Sequence, residues 1–336
     1  MDSARKRLEK FLATRFEASQ ISIEQLTPDA SLREYFRVNW SPEKTAIACV
    51  YGESFKAAEH SYLDVTNLFL VGSLPVAKIY DFDERLAVIA QEDFGDTILR
   101  DVLLQSDDEK RERLLNEAIK LIAGIQAATP KAFELNSIAS RLKFDEEKLL
   151  WELNFFKEHY FESFKKQPLS VADDKALTAE FIEISRELES HAEVLCHRDF
   201  HAANLMLDKE NRLRIIDHQD ARIGSIAYDL VSLLLDRVSE PPSVDWVRRK
   251  RAFFLNEREK IGLEIINPAE FAREFDLQAI QRCLKATGTF SYQSTFRAKT
   301  YFIPFIKPML QIVFNSAQRL DRFPSLQRIL GNRLKP

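Results

Sequence analysis

The sequence predicts a two-lobed α+β fold in which a five-stranded antiparallel sheet with one helix comes first and a mainly helical lobe follows. Three observations carry this expectation. Five short runs of β-branched, aromatic and other apolar residues fall between Ile21 and Gln91, separated by Pro, Asp and Ser. From Asp96 onward the apolar positions recur almost throughout at the helical period. Between Glu193 and Asp217 that period gives way to a polar loop flanked by two short apolar runs, an odd insertion in a helical lobe unless the loop carries function.

In chain order, Met1 to Phe16 reads as an amphipathic helix. It mixes Arg5, Lys6, Arg7, Glu9, Lys10 and Arg15 with apolar residues and lacks the unbroken apolar stretch of a signal peptide, while Asp2 and Glu9 weigh against a transit segment. Strands are expected at Ile21 to Thr27, Tyr35 to Trp40 and Thr45 to Tyr51. A helix follows from Phe55 to Leu70, with Ala58, Tyr62, Val65 and Phe69 on one face, and then strands at Val76 to Phe82 and Leu86 to Gln91. Gln91 to Asp96 is the expected hinge, dividing a lobe over 1–95 from one over 96–336. Helices are expected at Leu114 to Ala128, Asp145 to Phe161, Asp173 to Leu188, Ala227 to Asp236, Val244 to Ile261 and Phe271 to Gly288. The two short strands are Val194 to Cys196 and Leu213 to Ile216.

With 336 residues, 45% apolar and 30% charged, the chain can bury a sizeable core and has neither a disordered nor a fibrous composition. Its formal charge of −4 offers no general attraction to nucleic acid or an anionic membrane, and no run of about 18 apolar residues is present. Cys49, Cys196 and Cys283 lie far apart with no CxxC spacing, which suggests a reducing compartment rather than a disulfide framework or zinc site. The expectation is a cytoplasmic monomer acting on a small molecule, with no nucleic-acid or membrane partner.

The polar loop reads Cys196-His197-Arg198-Asp199-Phe200-His201-Ala202-Ala203-Asn204, and Ile216-Asp217-His218-Gln219-Asp220 follows. Phosphoryl transfer asks for these residue types. Its transition state is loose, so catalysis rests on positioning and on cations that clamp phosphate oxygens. One carboxylate must orient the attacking hydroxyl and accept its proton, and Asp199 suits that role. A second carboxylate and an amide oxygen must hold Mg²⁺, a hard ion that prefers oxygen ligands, and Asn204 with Asp217 suit that one. A zinc site using His197, His201 and His218 is the weaker alternative, because the histidines lack a tight HxxxH-type arrangement. Asp229 reads as a helix cap or a brace for the loop.

At these residues the chain resembles the aminoglycoside phosphotransferase and choline kinase superfamily, whose fold is protein-kinase-like. More narrowly it is similar to the anomeric N-acetylmuramate/N-acetylglucosamine kinases of cell-wall recycling, through Asp29 to Arg37, Glu92 to Asp96, Asp217 to Arg222, Tyr228 to Leu234 and Gln281 to Phe290. The resemblance implies ATP and Mg²⁺ as cofactors. It also implies a turn of Asp29, Ala30 and Ser31 over the nucleotide phosphates, and adenine against the hinge at Gln91, Glu92, Asp93 and Phe94. Pro28 stands where related sequences usually carry Gly. The third strand, Ala46 to Tyr51, lacks the lysine that protein kinases use to grip the α and β phosphates, and Arg37 and Lys44 are the candidate substitutes.

Gln281 to Pro336 holds ten Lys or Arg and one acidic residue, Asp321. A basic approach would repel a polycationic acceptor and favour a neutral or anionic one. Arg282 and Lys285, one turn apart, are expected to face the acceptor, together with His201, Gln219 and Asp220. The acceptor implied is the anomeric hydroxyl of an N-acetylated amino sugar, with an aminoglycoside, choline, homoserine or another sugar as alternatives and a catalytically silent nucleotide-binding scaffold as the rival of another class. The aromatic stretch from Phe290 to Phe305 is expected to be core.

Overall fold

The computed structural model describes residues 3–15, 21–26, 33–41 and 44–334. In chain order its elements begin with α1 (Ala4–Ala13), β1 (Ser22–Leu26), β2 (Glu34–Ser41), β3 (Lys44–Val50), α2 (Ser61–Val71), β4 (Ile79–Asp83), β5 (Val88–Glu92) and α3 (Leu99–Gln105). Next come α4 (Asp108–Ala127), α5 (Thr129–Glu134), α6 (Ile138–Arg141), α7 (Glu146–Phe156) and α8 (Val171–Ser190). Four short strands follow: β6 (Val194–Cys196), β7 (Leu205–Leu207), β8 (Leu213–Ile215) and β9 (Arg222–Gly224). The chain closes with α9 (Tyr228–Leu235), α10 (Val244–Lys260), α11 (Pro268–Phe296), α12 (Ile303–Leu320) and α13 (Pro324–Leu334). The expected two-lobed α+β architecture is present, with a five-stranded antiparallel sheet ordered β1-β2-β3-β5-β4 and a mainly helical C-terminal lobe.

The chain forms two compact units, each interrupted in sequence: 1–106 with 202–220, and 107–201 with 221–336. The first unit continues past the hinge through α3 and takes in the β7–β8 hairpin from the middle of the chain. Ile98 bridges Met206, Val76 bridges Ile215, and Leu207 donates its N–H to Thr97 O at 2.9 Å.

In this unit the strand alternation sorts the sheet into two faces. Phe36, Val38, Ala48, Val50, Val88 and Ala90 point to one side and bury Leu8, Phe11 and Leu12 of α1 against them. Full burial of Leu8 or Phe11 is worth about 1.5–3 kcal/mol each. Ser3 caps α1 by accepting from the Lys6 N–H at 3.4 Å, and Arg7 ties the helix to the carbonyls of Tyr51 and Leu86 at 2.7 and 3.0 Å. The opposite face carries Tyr35, Cys49 and Gln91, and the Tyr62 hydroxyl of α2 donates to Gln91 Oε1 at 2.6 Å.

Two element starts differ from the sequence expectation. The helix α2 begins at Ser61 rather than Phe55, because Glu84 captures the preceding segment: its carboxylate accepts from Ala57 N–H at 2.6 Å and its carbonyl from Phe55 N–H at 3.2 Å. Phe55 then packs against Tyr51 and His60. Strand β4 begins at Ile79 rather than Val76, since Pro75 and Val76 pair with Ile215 instead.

The second unit is organised around α11, a 29-residue helix started by Asn267, whose side chain accepts from Ala269 N–H at 2.8 Å, and by Pro268 in its first turn. A Cβ on Gly288 would come within 2.7 Å of Phe156 Cα, so only glycine lets α11 approach α7 this closely. Helix α7 runs into a π-helical stretch, Lys157–Phe164, which carries the expected helix on to Phe161 and beyond. Phe290 stacks on Phe302 at 4.7 Å and both are buried, as a core role requires, whereas Phe296 and Tyr301 are exposed.

Candidate active site

In the second unit, β6 pairs antiparallel with β9 and delivers the chain to the catalytic loop. Gly224 is required there, because a Cβ would meet the Phe144 ring at 2.8 Å and Cys196 Sγ at 3.0 Å. Immediately after β6 the backbone turns sharply, with Arg198 at φ 86°. This left-handed conformation is held from below. The fully buried Asp229, in the first turn of α9, accepts from the N–H groups of His197 and Arg198 at 2.7 and 3.1 Å. Burial raises the Asp229 carboxyl to about 7, against the two N–H donors that favour its charged form. The loop-brace reading of Asp229 is the one observed. His197 is buried beneath the loop, edge-on to Phe200 at 5.6 Å.

Asp199 sits among cations. Its Oδ1 lies 3.4 Å from Arg282 Nη2 and 3.3 Å from Lys285 Nζ, with Arg198 Nη1 3.7 Å from the other oxygen. Burial alone would raise its pKa, but Lys285, Arg282 and Arg198 outweigh it and hold the carboxyl well below its ordinary range. Burial, with Arg282 next to it, lowers the Lys285 ammonium from its usual value. Arg282 also bonds Ser232 Oγ at 3.1 Å. The two basic residues of α11 therefore meet the loop aspartate. His201 donates its backbone N–H to Asp199 O at 3.0 Å, and burial lowers its imidazole pKa.

In the first unit, β7 and β8 form the hairpin that carries the expected metal ligands. Its turn is tied by Asp208, which accepts from the N–H groups of Glu210 and Arg212 at 3.0 and 2.9 Å and pairs with Arg214 at 2.8 Å. After β8, Ile216 N–H returns to Asn204 O at 3.1 Å, and Asp217 adopts a left-handed φ of 61°. This brings the Asn204 amide to 3.4 Å from Asp217 Oδ2. Gln219, expected at the acceptor, donates to Asp217 Oδ1 at 2.8 Å, and Asp220 is half-buried at the end of this unit.

His218, between those residues, is fully buried and stacks between Tyr62 and Phe69 of α2 at 5.0 and 5.3 Å. Its Nε2 lies 2.7 Å from Thr66 Oγ1, whose own hydrogen goes to Tyr62 O at 2.6 Å, so the imidazole donates here. The residue beside Asp217 thus fastens α2, a contact that the sequence alone does not signal.

The donor set suits Mg²⁺. One carboxylate and one amide oxygen, on residues joined by a hydrogen bond, match the way Mg²⁺ is held by one or two protein oxygens with phosphates and water completing the shell. Among the described residues, no group of three or more His, Cys, Asp or Glu is placed to hold a metal by itself.

At the hinge, Arg37 makes a forked pair with Asp93 at 2.8 and 3.2 Å and a second with Asp96 at 3.1 and 2.8 Å. Burial raises the Asp93 pKa less than these bonds lower it. Arg37 therefore braces the hinge. Glu92 lies 3.5 Å from Arg214, and the buried Phe94 ring lies under the Arg214 guanidinium. Asp29, Ala30 and Ser31 lie outside the described residues. Lys44 is exposed at the start of β3.

A small-molecule kinase is what the fold and this residue set define. The family model for the phosphotransferase enzyme family matches residues 22–263, and the chain belongs to that family, within the aminoglycoside phosphotransferase and choline kinase superfamily. It is 27% identical over 329 residues to an N-acetylmuramate/N-acetylglucosamine kinase of Neisseria meningitidis, covering 96% of this chain and 94% of that one. To the enzyme of the same description from Caulobacter vibrioides it is 30% identical over 171 residues, 48% of this chain and 46% of that one. Among solved structures it shares the fold of the choline kinase of Streptococcus pneumoniae, with TM-score 0.57, 12% identity and coverage of 94% and 100%. It also shares that of a spectinomycin phosphotransferase in complex with ADP and spectinomycin, with TM-score 0.60, 14% identity and coverage of 93% and 98%.

Proposed function

We propose that this kinase uses ATP and Mg²⁺ to phosphorylate the anomeric hydroxyl of an N-acetylated amino sugar, N-acetylmuramate or N-acetylglucosamine, in the cytoplasm. The observation that carries the acceptor class is the pair of α11 cations, Arg282 and Lys285, within 3.4 Å of Asp199. A positively charged surround at the residue that receives the hydroxyl disfavours aminoglycosides and choline, and it suits a neutral sugar or a sugar acid. The similarity to the Neisseria enzyme over nearly the whole of both chains supports the same class.

In this reading the acceptor hydroxyl donates a hydrogen bond to Asp199. As the new O–P bond forms and the γ-phosphoryl leaves the β-phosphate oxygen, the hydroxyl proton passes to that carboxylate. A carboxyl held well below its ordinary pKa is a weak base, so its main contribution is orientation, with proton transfer late, as a loose transition state allows. Asn204 and Asp217 would hold Mg²⁺, which when bound neutralises charge on the β and γ phosphates. The adenine is expected against the backbone of Gln91 to Phe94.

The test is ATP turnover with Mg²⁺ over N-acetylmuramate, N-acetylglucosamine, other sugars, choline and aminoglycosides. Turnover with an N-acetylated amino sugar, giving a product whose anomeric proton couples to phosphorus, is the expected result. Turnover confined to choline or an aminoglycoside would sink the sugar assignment.

A further inference from the structure

The two sugars proposed as acceptors differ in one group: N-acetylmuramate carries a carboxylate on an ether arm at C3, across the ring from the anomeric hydroxyl, where N-acetylglucosamine has a hydroxyl. The cations nearest Asp199 are already engaged by it. Arg282 Nη2 is shared between Asp199 Oδ1 at 3.4 Å and Ser232 Oγ at 3.1 Å, Lys285 Nζ lies 3.3 Å from the same Oδ1, and Arg198 Nη1 lies 3.7 Å from Oδ2. A sugar carboxylate held by these three would compete with Asp199 for the charge that compensates its burial.

Arg237, in the same unit, is held differently. It follows α9 directly after Asp236, with a left-handed φ of 48° that residues other than glycine seldom adopt away from functional sites. Its guanidinium carbon stands 5.3 Å from the centroid of the buried Phe302 ring, which stacks on Phe290 of α11. Its Nε lies 3.3 Å from Asp236 Oδ2, close enough for attraction but out of line for a hydrogen bond, and among the described residues no side-chain nitrogen of Arg237 makes one. The side chain stays 23% exposed. A chain of contacts joins it to Asp199: Asp236 and Arg282 line one small cavity, with Ser232 on its wall a helical turn before Asp236, so Asp236 neighbours both arginines. His201 stands in the range of the same charges. Its buried Nδ1 has no hydrogen-bond partner among the described residues, and its imidazole pKa, lowered first by burial, responds to Asp236, Arg282, Asp199 and Arg237.

We infer that Arg237 is a specificity-determining residue for an acidic acceptor, donating its N–H groups to the ether-arm carboxylate of a sugar whose anomeric hydroxyl meets Asp199. A planar guanidinium suits a carboxylate, and an aromatic face restrains it without using the in-plane N–H groups that recognise one. Phe302 on its face and Asp236 beside Nε order the side chain before the sugar binds, which lowers the entropic cost of the contact. Arg282 and Lys285 then serve the hydroxyl end of the acceptor, and Arg237 its acid.

The inference rests on the amino-sugar reading above and narrows it from two sugars to the acidic one. Its test is kcat/KM for N-acetylmuramate, the methyl ester of N-acetylmuramate and N-acetylglucosamine in wild type, Arg237→Met, Arg237→Gln and Arg237→Lys. Wild type is expected to favour the acid over its ester and over N-acetylglucosamine. Both neutral variants should lower the acid-to-ester ratio about ten- to hundredfold, the loss of a charge-assisted contact, and chiefly through the KM for the acid, because the carboxylate is remote from the reacting bond. Arg237→Lys should fall between them and wild type. Arg237→Met keeps an unbranched stem against Phe302, so it carries the test if the glutamine variant does not fold. A wild-type ratio in either folded neutral variant, or a wild-type enzyme that uses the acid no better than its ester, would overturn the assignment and leave the amino-sugar reading standing. A wild-type enzyme that turns over none of the three sugars would instead overturn the amino-sugar reading, and the role of Arg237 with it.

Discussion

The two aspartates proposed for the chemistry are built in opposite ways. Asp199 is locked before any ligand arrives: three cations lie within 3.7 Å of its carboxylate, and its loop is braced from below by Asp229. Asp217 is exposed and is met by two amides, Asn204 at 3.4 Å and Gln219 at 2.8 Å. Amide partners leave a carboxylate its full negative charge, whereas the Arg282–Lys285 pair cancels it. In the proposed mechanism the first arrangement fixes geometry for a hydroxyl, and the second conserves charge for a cation.

Replacement of the aspartates should expose that difference. Asp199→Asn is expected to lower kcat about a thousandfold, the scale of a positioned acid–base group. It should also lower the melting temperature, because Arg282 and Lys285 lose the charge that compensates their burial. Asp217→Asn is expected to weaken the Mg²⁺ dependence of turnover about a hundredfold while leaving the melting temperature near wild type. If both variants melt alike, the contrast between a clamped and a charge-conserving carboxylate fails.

A second test reads the brace. The folded-state pKa of Asp229 is about 7, above the unfolded value near 3.9, so the native state holds a proton that the unfolded chain releases. Its contribution is fully present below about pH 4 and is lost as pH rises toward 7. Asp199, held low, has the opposite sign and loses its contribution as pH falls through the acid range. Urea midpoints between about pH 4 and 7 should therefore decline less steeply in Asp229→Asn than in wild type. Identical slopes would mean that Asp229 titrates alike in both states. The smallest effect is expected from Thr66→Val, which removes the acceptor of His218. It should cost about 1–2 kcal/mol in urea unfolding and raise the KM for MgATP a few-fold, with kcat nearly unchanged.

How much of this is legible in the sequence follows from the distance between partners. Asp199, Asn204 and Asp217 sit on one continuous stretch whose spacing is set by local turns, so their residue types and order can be read directly. Arg282 and Lys285 are recognisable as basic neighbours on one helical turn, but that they meet Asp199 depends on where α11 passes, 83 and 86 residues further on. The sequence points Arg37 at the nucleotide, yet its pairing with Asp93 and Asp96 is a consequence of strand order, which a lone arginine in a strand does not reveal. Gln219 is the converse case: its partner Asp217 is only two residues away, and the local bond takes the side chain that its position suggests for the acceptor. The start of α2 escapes the helical period because Glu84, remote in sequence, holds Ala57 out of the helix.

The discontinuity of the first unit has a consequence in time. A ribosome delivers residues 1–106 well before 202–220, so the pairings that Thr97, Ile98, Pro75 and Val76 make with the β7–β8 hairpin cannot form until nearly two-thirds of the chain has been made. The nascent sheet must wait with Val76 and its neighbours unmatched, exposed to the wrong partners that unpaired strand residues invite. Asp217, which arrives with that hairpin, is thus also among the last residues added to the unit, so its appearance and the unit's completion are a single event in the life of the chain.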